Sequence, residues 1–551
     1  MNVPTRCVSI AFCCLLPLFV IGQQNFHLRF NQAGYLAGEE KSMLLLTNEP
    51  IRERLELWDH SSNQRLQKMK LKPMQVESWG ESAYHYSLDA SKIQTLGTYY
   101  WRAPKTGWES PHFEVQASPY AGYPDSLLAF MRQQRCGYNP FLDMVCHQRD
   151  GRLMYGPLPD STYVDASGGW HDAGDQLKYL ITGSYATGHM LMAFDRYPDQ
   201  FLDQVNALGQ PGSNGIPDIL DEAKWGLDWI LKLHPRPDML IHQIADDRDH
   251  RGYKMPDEDI SDYGWGPNSY RVAYVATGKP QGLNKYQSEA TGYANLAGRS
   301  AAALALGSRI WLEQGLDSLF AGECLRAAKS LYALGKANEG YQQGNSYGAP
   351  YRYGEITWAD DMEWAAAELY WALREPDYLE EAKHYARIAA DEGWNLRDTT
   401  EHYRYYPFIN LGHYALHSLV EAPFQDSLEQ WYRAGIAYPF SKGMKNPYQI
   451  GIPFIWCSNN LLTSLLTQII LYEDMSGDTT YHSFLLQQRD WLFGYNPWGH
   501  LHVHRAASRR RISLGCAHQR LGQNPARSRR GTGRWASLQQ HFWFAERSPT
   551  Q

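Results

Sequence analysis

Short runs of alternating apolar and polar residues follow the N-terminal segment of the chain. Residues 83–88 and 97–102 alternate in this way, and residues 113–115 form a third run. Alternation with period two is typical of β-strands that bury one face, and the Gly, Pro, Ser and Asn residues between the runs favour turns. The pattern therefore predicts a small β-sandwich over residues 25–118.

The periodicity changes to that of α-helices after residue 118. Between Ile219 and Leu231, apolar residues recur three and four positions apart, which places them on one helix face. With the later runs and some weaker ones, this pattern predicts about ten or eleven helices. Successive helix pairs joined by Gly- and Tyr-rich loops favour an α/α barrel over residues 119–499, although an α-solenoid without a fixed repeat is an alternative. The later runs are 297–312, 323–337, 360–373, 378–390, 459–472 and 481–493.

Residues 1–22 combine Arg6 with an apolar stretch that ends at a small residue. This order is typical of a secretory signal peptide. A membrane span is disfavoured because about 20 apolar residues are needed and Pro17 interrupts the stretch. No later segment is long and apolar enough to span a membrane. We therefore expect an exported protein that is secreted, periplasmic or held at the cell surface.

The 551 residues include 43% hydrophobic and 20% charged side chains, and the net charge is −7. This balance is typical of a globular protein and gives no reason to expect a nucleic-acid partner. The charge is uneven, however, because residues 500–551 contain ten Arg and a single acid, Glu546. This tail needs an explanation of its own.

The densest polar cluster is the segment 168–175, Gly-Gly-Trp-His-Asp-Ala-Gly-Asp. Its two carboxylates, Asp172 and Asp175, lie three residues apart in a loop that precedes a predicted helix. Such a pair can hold a water between them, with one carboxylate accepting its proton while the other orients it. The alternative is that Asp175 only caps the following helix, which is a common role.

A second cluster combines Cys136, Cys146, His147 and His171. Two thiolates and two imidazoles form a closed tetrahedral set of the kind that binds structural zinc. The spacing is not that of a standard zinc finger. A Cys136–Cys146 disulfide with two ordinary histidines is therefore an alternative in an exported protein.

Several of these segments resemble glycoside hydrolase family nine, a family of cellulases. Residues 168–175 resemble the catalytic-base segment of that family, and 214–225 resemble the helix that follows it. Residues 451–460 and 492–497 resemble later landmarks of the same domain. Residues 30–35, Phe-Asn-Gln-Ala-Gly-Tyr, resemble the start of the immunoglobulin-like module that precedes many of these catalytic domains.

The resemblance runs from about residue 28 to Gly499 and implies an immunoglobulin-like β-sandwich followed by an all-α (α/α)6 barrel. It also implies inverting hydrolysis of β-1,4-linked glucans. On the matching positions, Asp175 is the general base and Asp172 helps to hold the nucleophilic water. The general acid of the family is a Glu near the end of the barrel, and we cannot place it here. We expect a monomer that uses no organic cofactor.

The resemblance also implies metal sites. Some members of the family bind structural zinc through a Cys, a Cys-His pair and the His before the base motif. This sequence matches that order, so we expect zinc to fix the base loop. Asp360 and Asp361 resemble a segment that binds calcium in some relatives. The alternative is that this pair only places negative charge at a helix start.

Four further residues are candidates for contacts with a β-glucan substrate. His250 and Trp456 resemble sugar-subsite residues of the family by position. Tyr353 and Trp265 lie in Gly-rich or acidic loops, where aromatic rings can stack on sugar faces. Core packing is the commoner role for a single Trp or Tyr.

The resemblance stops after Gly499. One explanation for residues 500–551 is a basic tail that binds polyanions. We favour a shift of reading frame, because suitable codons for residues 500–518, read one nucleotide later, encode a family-like string with an Asp-Val-His element. The same offset produces a family-like string from residues 531–544. We therefore expect an aberrant, disordered tail and a barrel that is incomplete at its C-terminal end.

Two hypotheses from different classes follow. The first is an exported endo-β-1,4-glucanase whose chain is altered at its C-terminus. The second is a non-hydrolytic glucan-binding relative. A zinc hydrolase is disfavoured because four protein ligands leave no open position for water. The sequence does not choose among cellulose, mixed-linkage glucan and xyloglucan.

Overall fold

The computed structural model describes residues 26–503, with the exception of residues 78, 251, 253, 393–410 and 456–457. The predicted signal peptide, residues 504–551 of the predicted tail, and Trp456 lie outside these described residues.

The N-terminal domain is a β-sandwich of two sheets, as the alternating pattern predicts. One sheet has the order β1-β3-β6, and the other has the order β2-β9-β7-β4-β5 with β8 paired to β7. Most strand pairs are antiparallel, but β2 and β9 run parallel. The strands are β1 His27–Arg29, β2 Tyr35–Leu36, β3 Ser42–Thr47, β4 Arg54–Asp59, β5 Gln64–Lys70, β6 Tyr84–Asp89, β7 Gly97–Ala103, β8 Trp108–Glu109 and β9 Phe113–Gln116.

Strand β3 is buried on both faces. Met43 and Leu45 point into the core of the sandwich. Leu44 and Leu46, which point the other way, belong to the core of the helical domain. A strand that is covered on both sides loses the alternation of apolar and polar residues, and this explains the continuous run Met-Leu-Leu-Leu. The sandwich is therefore packed directly against the second domain.

The second domain consists of paired helices. Along the described chain, the even-numbered helices from α2 to α10 pack on one another in succession, and each packs against the odd-numbered helix that follows it. Five such pairs are present in the described residues, which is the arrangement of an α/α barrel. The helices are α1 Tyr123–Gln133, α2 Leu180–Arg196, α3 Asp218–Leu233, α4 Ala294–Glu313, α5 Ser318–Lys336, α6 Ala359–Leu373, α7 Pro376–Glu392, α8 Leu411–His417, α9 Ala422–Gly443, α10 Ser458–Ser476 and α11 His482–Leu492.

The inner position of α4 and α6 follows from their composition. Nearly every residue of α4 from Ala294 to Trp311 is buried, and so are the first eleven residues of α6. A helix that is buried on nearly all sides lies in a core, and the many alanines of α4 and α6 permit close approach of neighbouring helices. None of the helices in the described residues is long and apolar enough to cross a membrane.

The helical domain also contains a small sheet of short strands. It has the order β12-β15-β14-β13, and a separate hairpin joins β10 and β11. Strands of two to five residues are too short to produce a period in the sequence. The strands are β10 Tyr138–Asn139, β11 Met144–Val145, β12 Asp150–Met154, β13 Lys178–Tyr179, β14 Ile241–Ile244 and β15 Arg271–Val275.

Residues 500–503 continue the ordered chain beyond the predicted end of the barrel. Leu501 forms a β-bridge with Phe493. The His502 amide donates to the carbonyl of Leu492 at 2.8 Å. The first residues of the predicted aberrant tail therefore lie against the end of α11.

The two domains share a buried polar network. Asn31 of the sandwich is fully buried, and its Nδ2 donates to Asp490 Oδ1 at 2.7 Å and to the Tyr120 hydroxyl at 2.8 Å. Arg489 donates to Asp490 Oδ1 at 2.7 Å and to Glu39 of the sandwich at 2.6 Å. These directional hydrogen bonds therefore fix the orientation of the two domains, in addition to the apolar contacts between them.

We expect Asn31→Ala to lower the free energy of unfolding by about 1–3 kcal/mol, because buried partners lose their hydrogen bonds. The control is Gln94→Ala, an exposed amide in the same domain, which should change stability by less than about 0.5 kcal/mol. Urea unfolding monitored by circular dichroism measures both values. Equal losses in the two variants would show that the network does not stabilise the interface.

Candidate active site and metal cluster

The loop 168–176 is held by backbone hydrogen bonds to its surroundings. The His171 amide donates to the Gln134 carbonyl, and the Asp172 amide donates to the Leu177 carbonyl, both at 2.8 Å. Helix α2 begins at Leu180 after Tyr179 and has no side-chain cap. The alternative that Asp175 caps this helix is therefore wrong, and both aspartates are available for another role.

Asp172 accepts hydrogen bonds from two hydroxyl groups. The Tyr353 hydroxyl lies 3.0 and 2.8 Å from its two carboxylate oxygens, and the Thr182 hydroxyl lies 3.0 Å from Oδ1. Burial raises the pKa of Asp172 to about 6, although these hydroxyl donors favour the ionised form. Tyr353, predicted to contact sugar, thus lies on the carboxylate pair itself. Thr182 was not anticipated, since a threonine in the first turn of a helix carries no distinctive signal.

Asp175 has a different environment from Asp172. Its side chain is buried, and Oδ2 lies 2.6 Å from Nδ1 of His250. The hydrogen bond to Asp175 raises the pKa of His250, whose ring also stacks on Tyr351 at 3.9 Å. Within the described residues, Asp175 Oδ1 has no hydrogen-bond partner. The imidazole of His250 occupies Oδ2 of Asp175 and leaves Oδ1 for a water.

Trp265 and Asp361 have contacts with residues other than this pair. Trp265 packs partly buried against the helical core, with the Arg152 guanidinium 5.8 Å from its ring. Both oxygens of Asp361 accept hydrogen bonds from Arg299, at 2.7 and 2.8 Å. This buried ion pair gives no support to a calcium site at Asp360 and Asp361, which stays a prediction.

Cys136, Cys146, His147 and His171 come together as the sequence predicts. One ligand atom from each residue lies within 4.8 Å of the other three. Both cysteines are free, so the alternative of a Cys136–Cys146 disulfide is not what the structure contains. Two sulfur and two nitrogen donors in a buried tetrahedral cluster fit a structural zinc ion.

The surroundings of the cluster also fit a metal. His147 adopts a left-handed conformation with φ 49°, and its Nε2 lies 2.9 Å from Asp259 Oδ2. Such a carboxylate orients a ligating imidazole so that the other ring nitrogen faces the ion. Burial alone would raise the pKa of the Cys136 thiol, but the hydrogen bond from Cys146 and the charge of Lys178 bring it well below its usual value. A thiolate is the form that binds metal.

The sequence matches glycosyl hydrolase family 9 over residues 120–521 and the cellulase N-terminal ig-like domain over residues 23–107. The chain belongs to glycosyl hydrolase family 9. The predicted order of an immunoglobulin-like sandwich and a helical catalytic domain is confirmed. The family match extends past Gly499, where we placed the end of the resemblance.

Curated relatives of the chain include two enzymes with modest identity. Endoglucanase D of Acetivibrio thermocellus is 29% identical over 327 residues, which cover 56% of this chain and 47% of that protein. The xyloglucan-specific endo-beta-1,4-glucanase BoGH9A of Bacteroides ovatus is 26% identical over 392 residues, covering 67% and 62%. The chain thus spans less than two thirds of the length of these relatives.

Solved structures share the fold. A metagenome-derived family 9 endoglucanase matches with a TM-score of 0.67 and 24% identity, over 88% of this chain and 86% of that chain. A Zn-binding triple mutant of the family 9 endoglucanase J30 matches with a TM-score of 0.64 and 21% identity, over 85% and 83%.

We expect Asp172 to titrate near pH 6 in the folded protein, well above an ordinary aspartate. Tyr353→Phe should raise this pKa further, because the lost hydroxyl stabilised the ionised form. Carboxyl carbon-13 NMR of aspartate-labelled protein measures the titration. Tyr347→Phe, at an exposed tyrosine, is the control and should leave Asp172 unchanged. A lower pKa in Tyr353→Phe would contradict the assigned hydrogen bonds.

We expect the purified protein to contain about one zinc ion per chain. Cys146→Ser should lose the zinc and unfold at a lower temperature, because ligand binding contributes to folding free energy. Elemental analysis and thermal unfolding with and without a chelator measure both effects. Cys324→Ala, at a buried cysteine outside the cluster, should keep the zinc. A Cys136–Cys146 disulfide detected by mass spectrometry would rule the site out.

Proposed function

We propose that the protein is an exported endo-acting hydrolase that cleaves β-1,4-glucosidic bonds of cellulose or a related β-glucan with inversion. The observation that carries this proposal is the carboxylate pair on the loop 168–176, whose two members have different partners. Family membership supports glycoside hydrolysis. The names of the two relatives, an endoglucanase and a xyloglucan-specific endo-beta-1,4-glucanase, support a β-1,4-glucan as substrate.

The two aspartates have different roles towards the nucleophilic water. Asp175 accepts the proton of the water as general base, with His250 fixing the orientation of the carboxylate. Asp172 accepts a second hydrogen bond and orients the water, while Tyr353 and Thr182 fix its own position. The water then attacks the anomeric carbon from the face opposite the leaving oxygen.

A general acid must protonate the leaving oxygen of an unactivated glycoside. Inverting enzymes place this acid about 6.5–9.5 Å from the base, so that the water fits between them. We place no acid among the described residues. Glu546 is the only glutamate after Gly499, and under the shifted reading frame its codon would belong to another residue. We therefore expect this chain to hydrolyse polysaccharide slowly.

Zinc in the cysteine–histidine cluster would have a structural role. Four protein ligands leave no position for a reacting water, so the ion would contribute binding energy to the fold and not chemistry to the hydrolysis. His171 directly precedes Asp172. The Cys136 amide donates a hydrogen bond to the carbonyl of Gly169, in the same loop, at 2.9 Å. The cluster would therefore fix the start of the catalytic loop.

A second candidate function is non-hydrolytic glucan binding. The unplaced general acid favours it, because a chain that cannot protonate the leaving oxygen could still hold the polysaccharide. The two functions differ in their behaviour towards substrates whose leaving group needs no proton.

We expect the full chain to cleave 2,4-dinitrophenyl β-cellobioside, whose acidic phenolate departs without protonation. Asp175→Asn should lower this rate by about 10²–10⁴-fold, because the base is lost. The control is Asp228→Asn on the surface of α3, at an aspartate paired with Lys224, which should keep the wild-type rate. Release of dinitrophenolate measures the rate, and proton NMR of the first product shows whether the α-anomer forms.

The outcomes of this assay distinguish inverting hydrolysis from non-hydrolytic glucan binding. No cleavage of the activated substrate, with retained binding to cellulose, would establish the non-hydrolytic alternative. A β-anomeric product would contradict inversion. Rapid hydrolysis of carboxymethyl cellulose by the unaltered chain would show that a general acid is present after all.

A further inference from the structure

Arg271 is a fully buried cation on β15 whose guanidinium reaches two elements at once. Its Nε and one Nη donate to the two oxygens of Asp150, at 2.7 and 2.8 Å. The other Nη donates to the backbone carbonyl of Gln176 at 2.7 Å. Asp249 and Asp259 lie 3.4 and 4.0 Å from the same nitrogen. The planar fork of arginine allows these bonds to form together, which a lysine could not reproduce.

The position of the Gln176 carbonyl affects the orientation of Asp175, because Gln176 directly follows Asp175 in the chain. Gln176 has φ 69°, a left-handed conformation that residues other than glycine rarely adopt without support from their surroundings. Its Nε2 donates to the Lys254 carbonyl at 2.9 Å, which fixes the side chain from another loop. Rotation of the backbone at Gln176 would turn Asp175 away from His250.

The other end of the catalytic loop depends on the same buried carboxylate. Lys178 Nζ lies 2.8 Å from Asp150 Oδ2, and both side chains are almost completely buried. The same Nζ donates to the carbonyls of Gly168 and Ala166, at 2.8 and 3.2 Å. Asp150 therefore orients two cations, and these cations hold backbone carbonyls on either side of the aspartate pair.

We propose that Arg271, anchored by Asp150, is a positioning residue that holds Asp175 in its catalytic orientation through the Gln176 carbonyl. The inference rests on the proposed function, because it takes Asp175 as the general base. Arg271 is 2% exposed, so it acts through the loop and not on the substrate. A displacement of about 1 Å at a reacting group can lower a rate roughly 100-fold.

The test is Arg271→Lys in the full chain, with 2,4-dinitrophenyl β-cellobioside as substrate. Lysine keeps the positive charge beside Asp150 but lacks the planar fork whose three nitrogens reach both Asp150 oxygens and the Gln176 carbonyl. We expect kcat to fall about 10- to 100-fold while KM changes less than about twofold. Hydrogen exchange of the amides in residues 168–178 should become faster. The control is Arg309→Lys, which breaks a similar bidentate pair with Asp195 at the opposite end of α2 and should change neither measurement.

A double-mutant cycle links the effect to Asp175. If Arg271 affects the rate through Asp175, Arg271→Lys should cost little further activity in the Asp175→Asn background. Additive losses would overturn the proposal, as would a wild-type kcat in Arg271→Lys. If Asp175→Asn itself retains activity, the proposed function fails, and the hydrogen exchange of the loop still tests the role of Arg271.

A second variant covers the case in which Arg271→Lys does not fold. Asp150→Asn keeps the shape of the anchor and the Gln176 contact but removes the charge that orients the guanidinium. We expect a smaller loss of kcat, about threefold or more, with faster exchange in the same loop. A folded Asp150→Asn protein with unchanged kcat and exchange would overturn the proposal.

Discussion

The buried charge of Asp150 is the constraint on which the loop 168–176 depends. An unpaired carboxylate in this position would cost several kcal/mol, so Arg271 and Lys178 must stay beside it. Both cations have N–H groups that do not bind Asp150. These groups donate to backbone carbonyls at the two ends of the loop 168–176. A segment without helix or strand thereby obtains a defined shape, and its two aspartates obtain defined directions.

The same loop places two chemically identical side chains in different environments. Asp172 lies among neutral hydroxyl donors, and burial raises its pKa to about 6. Asp175 lies against an imidazole that can carry a positive charge. Two carboxylates that differ in this way can take different roles towards one water, which is the basis of the proposed mechanism.

The sandwich is part of the same rigid structure as the helical domain. Strand β3 contributes one face to each core, and Asn31 joins Asp490 across the interface at 2.7 Å. Two domains connected in this way behave as one scaffold and not as a module on a flexible linker.

Local patterns in the sequence determined the sandwich, the helix pairs, the aspartate pair and the two cysteines and two histidines of the cluster. Each of these leaves a period, a spacing or a rare residue type within a short window. Only the tertiary structure decided the partners of the aspartates. His250 lies 75 residues from Asp175, and Arg271 lies 95 residues from Gln176. No local pattern encodes such a contact, because it depends on how β15 and the loop before it pack against residues that are distant along the chain.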